Sequence, residues 1–483
     1  MEVESKKPSL ERRDRQNPPG TSKDLDNSIY DGVAFSVSAG IGDNYIPAAA
    51  ILNGAGALQV GLLSAIPQFI GSLLQFLSFP LMRRIGSRKA MVLGGVALQS
   101  ISWLAVAATM FYPGELSFWV MLGAFSLGVG ISLMVNPAWA SWIADLVPEN
   151  QRPHFFASRN RLMNLALFVS TFAAGIMLRD LSASLGVRIA FALIFLAAFL
   201  ARALTYYFHN KVSEPEFRPM MMHEVHLKHL FLLPAYKKEL TFLIFISLMN
   251  FATQVASPFF TPYMLQSLGF DLAGIGFVSA VAIIVKVASL PYWGSMIDRF
   301  GNKKVLAVCS VGAALVPAIW LLSRDFYHIL IFNAFSGFVW AGFDLCAFNY
   351  LLSSVSRELR ASYVSKYNLF NGFLYTAGSL AGGIAISSIG NSLLFGFAAI
   401  PVIFIASTVM RLSVSLALLP RIPEKELPST HTERHLLLKV LAVYPAQGAI
   451  MTVMHGWNIT HRVIDAGKST GMKFIHNVGS LKK

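Results

Sequence analysis

Apolar runs alternate with short polar breaks along most of the chain. The runs lie at about 32–54, 57–82, 90–112, 117–143, 161–178 and 188–208. A polar stretch covers 209–239, and six more runs follow at about 240–266, 272–297, 304–323, 326–352, 367–388 and 392–419. A helix rises about 1.5 Å per residue, so each run is long enough to cross a hydrocarbon layer about 30 Å thick. The pattern predicts twelve membrane helices in two sets of six. It divides the chain into a tail (1–30), a first bundle (31–208), a linker (209–239), a second bundle (240–420) and a basic tail (421–483). Residues 1–30 mix charges with prolines and read as disordered. Within the last segment, His435–Met454 is apolar but holds Lys439, Pro445, Gln447 and Gly448. It reads as an interfacial helix rather than a thirteenth span.

Composition agrees. Of 483 residues, 55% are apolar and 13% charged, and the mean hydropathy is +0.56. A soluble domain carries about 25% charged residues, so a soluble fold is excluded. Two cysteines, Cys309 and Cys346, sit inside apolar runs and read as small hydrophobes, not a disulfide framework.

The net charge of +14 suggests nucleic acid in a soluble protein and cytosolic loops in a membrane protein. Location decides. With the N-terminus in the cytosol, the inner loops collect Arg83, Arg84, Arg88, Lys89, Arg152, Arg159, Arg161, Arg299, Lys303, Lys304, Arg357, Arg360 and Lys366. The linker and the helix end before it add Arg202, Lys211, Arg218, Lys228, Lys237 and Lys238, while the outer loops hold Arg179, Arg188 and Arg324. Both termini are expected in the cytosol, with lipid rather than nucleic acid as the surrounding partner.

The halves also repeat. At an offset of 215, VGLLSA (Val60–Ala65) falls on IGFVSA (Ile275–Ala280), Pro47 on Pro262, and RRIGSRK (Arg83–Lys89) on DRFGNKK (Asp298–Lys304). At 208, AAGI (Ala173–Ile176) falls on AGGI (Ala381–Ile384). Parallel repeats of this kind indicate two bundles with a pathway between them.

GSMIDRFGNKK (Gly294–Lys304) resembles the G-x-x-x-D-R-x-G-x-K-K signature of the major facilitator superfamily. The first-half copy departs from it, with Phe79 in place of the glycine and Arg83 in place of the aspartate. DLVPENQR (Asp145–Arg152) and SRELR (Ser356–Arg360) resemble the family's loops after helices 4 and 10. The resemblance covers about 30–420. It implies an all-α, polytopic fold of twelve helices in two pseudo-symmetric bundles, and a secondary transporter working by alternating access. It also implies a cytosolic gate at Arg83, Arg84, Gly86, Arg88, Asp145, Arg152, Gly294, Asp298, Arg299, Gly301, Lys303 and Arg360. In that gate Gly301 permits a tight turn and Gly294 a close helix approach. Asp298 pairs there with a helix terminus or a basic side chain.

Ionisable residues at bilayer depth cost several kcal/mol unless paired or hydrated, so they are functional candidates. Asp43 lies about 11 residues into helix 1, Lys286 about 14 into helix 8 and Asp344 about 18 into helix 10, or roughly 16, 21 and 27 Å along their axes. Asp43 suits a carrier of protons. Lys286 suits either an anionic substrate group or a lock on Asp43. Asp344 matches Asn136 at the offset of 208. Tyr45, Asn136, Asn250, Gln254 and Trp340 are the further candidate lining residues. His209, His223, His226 and His229 read as solvated.

No P-loop, HExxH or paired-cysteine metal site occurs, so no cofactor, metal or enzymatic activity is expected. Helix 5 lacks the G-P-x-x-G-G of many drug–proton antiporters of the resembled family. The expectation is a monomer in a cytoplasmic or plasma membrane that moves a small organic solute with protons. An uncoupled facilitator and a non-transporting receptor are the alternatives.

Overall fold

The computed structural model describes residues 21–112, 114–148, 151–215, 237–353, 360–390 and 398–422. Readings that fall on 1–20, on most of the linker and on 423–483, including His223, His226, His229 and the 435–454 helix, lie outside the described residues.

Twelve helical segments follow one another. The first bundle holds α1 (Ser22–Ile41, continued by a turn at Asp43–Tyr45 and by Ile46–Leu52), α2 (Ala57–Ile85), α3 (Arg88–Ala108), α4 (Glu115–Leu146), α5 (Arg152–Leu185) and α6 (Val187–Lys211). The second holds α7 (Lys237–Ala256, continued to Ser267), α8 (Leu272–Phe300), α9 (Asn302–Ile319), α10 (Phe326–Ser353), α11 (Arg360–Ile389) and α12 (Ala399–Leu418). Eleven are long and apolar enough among the described residues to cross a membrane. The exception is α1, whose first piece, Ser22–Ile41, carries Lys23, Asp24, Asp26 and Asp31. We call the side carrying Lys211 and Lys237 the linker face and the opposite side the far face.

The break in α1 has a local cause. Pro47 has no N–H for the carbonyl four residues earlier, that of Asp43. The chain answers with a 3-10 turn at Asp43–Tyr45. In α7 Pro258 and Pro262 act likewise, and a 3-10 turn occupies Ser257–Phe259. The two breaks therefore sit at matching places in the repeat. At its other end α1 starts at Ser22, earlier than the sequence boundary at 31, because Thr21 and Asp24 cap each other reciprocally.

Packing follows the repeat as well. Helix α1 packs on α5 and α6, α3 on α4 and α6, and α2 on α4; α7, α9 and α8 repeat these choices with α11 and α12, α10 and α12, and α10. Trp103, Phe118, Phe191 and Phe195 fill the first core, and Phe245, Phe259, Trp293 and Phe404 the second. Cys309 and Cys346 are buried and unbridged, as small hydrophobes in a core should be. Between bundles, α2 lies along α11 and α5 along α8.

These two seams hold the far half together. A Cβ built on Gly61 would stand 2.8 Å from the Ser379 carbonyl oxygen and 3.3 Å from the Gly383 Cα. One on Gly276 would stand 3.2 Å from the Gly175 Cα. Only glycine permits backbones this close. The repeats VGLLSA/IGFVSA and AAGI/AGGI contain all four glycines, so the sequence repeat and the seam are one feature. Thr376 donates to the Ala65 carbonyl at 3.2 Å, and Ser379 to Ser64 at 3.3 Å.

Candidate functional site

The turn that breaks α1 carries Asp43 into a cavity of about 160 Å³ inside the first bundle. Its polar lining includes Ser38, Gln68, Gln99, Ser102, Ser132 and Arg202, and Phe35, Trp103 and Phe125 complete the wall. Gln68, Gln99 and Arg202 lie near the middles of α2, α3 and α6, which places the cavity near mid-height, as the sequence expects of Asp43. The Arg202 guanidinium lies over the Phe35 ring at 4.6 Å and donates to the Gln99 carboxamide oxygen. Arg202 and Asp43 line the same cavity, and no ion pair joins the two among the described residues. Beside Asp43, Asn44 donates to the Thr171 hydroxyl at 2.9 Å and Tyr45 to the Thr171 carbonyl at 2.7 Å. Tyr45 is buried against the seam, so it ties α1 to α5 rather than presenting its hydroxyl to a ligand.

Lys286 does not meet Asp43. It pairs with Asp344 at 2.6 Å, and both side chains are nearly half exposed. The register explains the pairing. Asn333 donates to the Val278 carbonyl, and Gly337 lies against Ala282. The same register sets Lys286 beside Ala341, one turn from Asp344, within a lysine's reach. Axial counts made helix by helix could not show this. Nearby, Asn250 donates to Asn371 at 2.6 Å across α7 and α11. Gln254 is buried against Gly378 with an unpartnered Nε2, while Trp340 stacks edge-on against Phe343. Asn136 is exposed on α4.

At the linker face, Arg88 pairs with Asp145 at 2.5 Å within the first bundle. Arg152 donates to the Val147 carbonyl at 3.0 Å. Arg83 lies 5.9 Å over the Phe79 ring, and Arg84 is exposed. Gly86 ends α2 in the left-handed conformation at φ +73°. Gly301, at φ +87°, turns the chain from α8 into α9, as expected of it. Lys303 donates to the Pro420 carbonyl beyond α12, much as Lys89 donates to the Asn210 and Val212 carbonyls at the end of α6. Two expected contacts are absent among the described residues. A Cβ on Gly294 would meet nothing within 4 Å. Asp298 and Arg299 are exposed, and no described ion pair joins Asp298 to a basic side chain. Only the backbone of Arg360 is described.

The sequence reading missed a buried charge cluster. Asp31 of α1 pairs with Arg159 of α5 at 2.8 Å, and both are buried. Arg159 also donates to the Ser28 carbonyl at 2.9 Å and lies 4.3 Å over the Trp139 ring. His209 lies beside Asp31 and is 4% exposed, not solvated. Arg159 and Arg202, counted above as loop charge, are interior. A signal for Arg202 existed: it lies inside the apolar run 188–208, as Arg411 lies inside the run 392–419. In the second bundle Arg411 donates to the Ala313 carbonyl at 2.8 Å and the Thr253 carbonyl at 3.3 Å.

The geometry is thus two repeated bundles, closed along glycine seams at the far face, with a polar cavity at mid-height. Residues 32–253 and 240–461 each match the profile of the Major Facilitator Superfamily. No curated protein sequence matches the chain. Among solved structures, the POT family transporter PepTSo is similar with a TM-score of 0.65 at 11% identity, over 83% of this chain and 98% of that one. The D-xylose–proton symporter gives 0.64 at 13% identity, over 83% and 97%. The nucleoside transporter NupG gives 0.61 at 14% identity, over 83% and 99%. At these identities the likeness is one of fold. With the profile matched in both halves and eleven candidate spans, the chain is a multi-pass integral membrane protein that belongs to the major facilitator superfamily.

Proposed function

We propose that this transporter moves a small organic solute by alternating access and that Asp43 carries a coupling proton. One observation carries the reading. The break in α1 delivers a carboxylate to a polar cavity at mid-height, beside a buried arginine. A carboxylate so placed can alternate between a proton and a salt-bridge partner as the cavity's access changes. The basic residues of the loops make the linker face cytosolic, which places both termini inside. The far-face seams then describe a state closed to the outside. The linker-face residues from Arg83 to Arg88, Asp145 with Arg152, and Gly294 to Lys303 act in this reading as the inner gate.

The half-exposed Lys286–Asp344 pair supports recognition of an anionic group. A substrate carboxylate or phosphate competes with Asp344 for the lysine, which makes binding and release an exchange of ion pairs. The chain works as a monomer in a cytoplasmic or plasma membrane.

Reconstitution into liposomes tests the reading. A solute found by ligand stabilisation should accumulate under an imposed proton gradient. Asp43→Asn should abolish that accumulation and retain counterflow, because exchange needs no net proton movement. Accumulation at the wild-type level by a well-inserted Asp43→Asn protein leaves an uncoupled facilitator as the better reading. Absence of flux for every stabilising solute leaves a receptor.

A further inference from the structure

Helices α1, α5 and α6 enclose the Asp31–Arg159–His209 cluster near the linker face, away from the Asp43 cavity. Its hydrogen bonds leave two buried atoms without partners, Asp31 Oδ2 and His209 Nε2. The two orphans face each other at 3.8 Å. The other oxygen of Asp31 accepts from Arg159 at 2.8 Å. The other nitrogen of His209, Nδ1, lies 2.9 Å from the Thr205 carbonyl oxygen.

The tautomer follows from that contact. A carbonyl only accepts, so Nδ1 carries the hydrogen. In a neutral ring Nε2 then holds a lone pair, and that lone pair points at a carboxylate oxygen. Acceptor faces acceptor, which fits a separation beyond hydrogen-bond range. A proton on Nε2 turns the opposition into a charge-assisted N–H···O bond and satisfies both orphans at once.

We propose that His209 and Asp31 form a proton-binding site that takes up one proton from the linker-face water and bridges α6 to α1. The proton adds to the Nε2 lone pair, and the resulting N–H donates to Asp31 Oδ2. No other bond is made or broken. The charged groups acting on His209 are Asp31 from α1, Arg159 from α5 and Arg202 from its own helix, while α4 presents the uncharged Trp142 ring at 6.0 Å. Burial and the two arginines oppose a charged ring, while Asp31 and the Thr205 carbonyl favour it, so the geometry of the Asp31 contact decides whether the proton is held. Two residues beyond His209 the helix ends at Lys211, which gives water a short path. The site stands whether or not Asp43 carries a coupling proton.

Histidine-selective ¹⁵N NMR of the full chain in nanodiscs tests this, with His209 assigned by its loss in His209→Gln. At about pH 8 the ring should be the Nδ1–H tautomer, and toward about pH 5 it should become imidazolium. Asp31→Asn should move the midpoint down by about one pH unit or more, a tenfold rise in the proton concentration required. If that variant does not fold, Asp31→Glu keeps the anion and should keep the titration. An Nε2–H tautomer in the wild-type spectrum, or a ring that stays neutral throughout, overturns the proposal. So does a midpoint unmoved by Asp31→Asn. Titration as described alongside normal proton-driven uptake by Asp43→Asn removes the coupling role of Asp43 and keeps this site. Loss of coupling in Asp43→Asn with no titration at His209 does the reverse.

Discussion

Gly175 of α5 and Gly276 of α8 meet backbone to backbone, with 3.2 Å between the Gly175 Cα and a Cβ built on Gly276. Their repeat counterparts, Gly383 of α11 and Gly61 of α2, meet in the same way. One contact thus occurs twice, once on each side of the pathway. A side chain at either place acts as a wedge. Gly276→Val should cost about 1–3 kcal/mol in the far-closed state through overpacking, which shifts the balance toward far-open by about 5- to 150-fold. Thiol labelling from outside at Thr171→Cys should quicken accordingly. An unchanged labelling rate in a folded Gly276→Val protein would show that the seam does not set the balance.

Lys286 and Asp344 should behave as a pair. Lys286→Ala or Asp344→Asn alone leaves one charge without its partner at membrane depth, and each should lower both stability and uptake. The double variant should recover stability, since no charge remains to be matched, while uptake stays low if the lysine binds substrate. Thermal unfolding read beside transport separates the two effects. Additive losses of stability in the double variant would remove the pair.

The two buried arginines should divide differently. Among the described residues Arg411 bonds to main-chain carbonyls of the second bundle, so Arg411→Leu leaves buried acceptors unsatisfied and should cost about 2 kcal/mol or more. Arg202 shares the cavity with Asp43, so Arg202→Leu should chiefly lower proton-driven uptake. Equal losses of stability in both variants would count against a role for the cavity.

Cysteines placed at Glu115 and Asp271, at the far-face starts of α4 and α8, should label from outside the cell. Those at Ser87 and Asn302, in the basic loops, should label only after permeabilisation. External labelling at Asn302 would invert the assignment of the linker face.

The scaffold was legible because hydrophobic run length, loop charge and repeat each report it independently. The glycine segments were legible as a repeat, but not as the seam they form. Asp43 stood out as a candidate because an acid in an apolar run is costly at that depth, with a hydrogen-bonded structural aspartate as the alternative. Arg159 and His209 were hidden because α5 and α6 extend beyond their apolar runs. Loop-charge counting assigns every basic residue near a run's end to the headgroups. The partner of Lys286 was hidden because the register between α8 and α10 is set by packing, not by position along either helix alone.

Arg202 of α6 and Arg411 of α12, buried on the last helix of each bundle, are fastened differently. The bonds of Arg411 end on peptide carbonyls of α7 and α9, which cannot turn away without unwinding a helix. Those of Arg202 end on a carboxamide and a ring, which can change rotamer in place. The first bundle therefore holds this arginine on adjustable side chains and the second on fixed backbone. Amide hydrogen exchange should be slower around Arg411 than around Arg202.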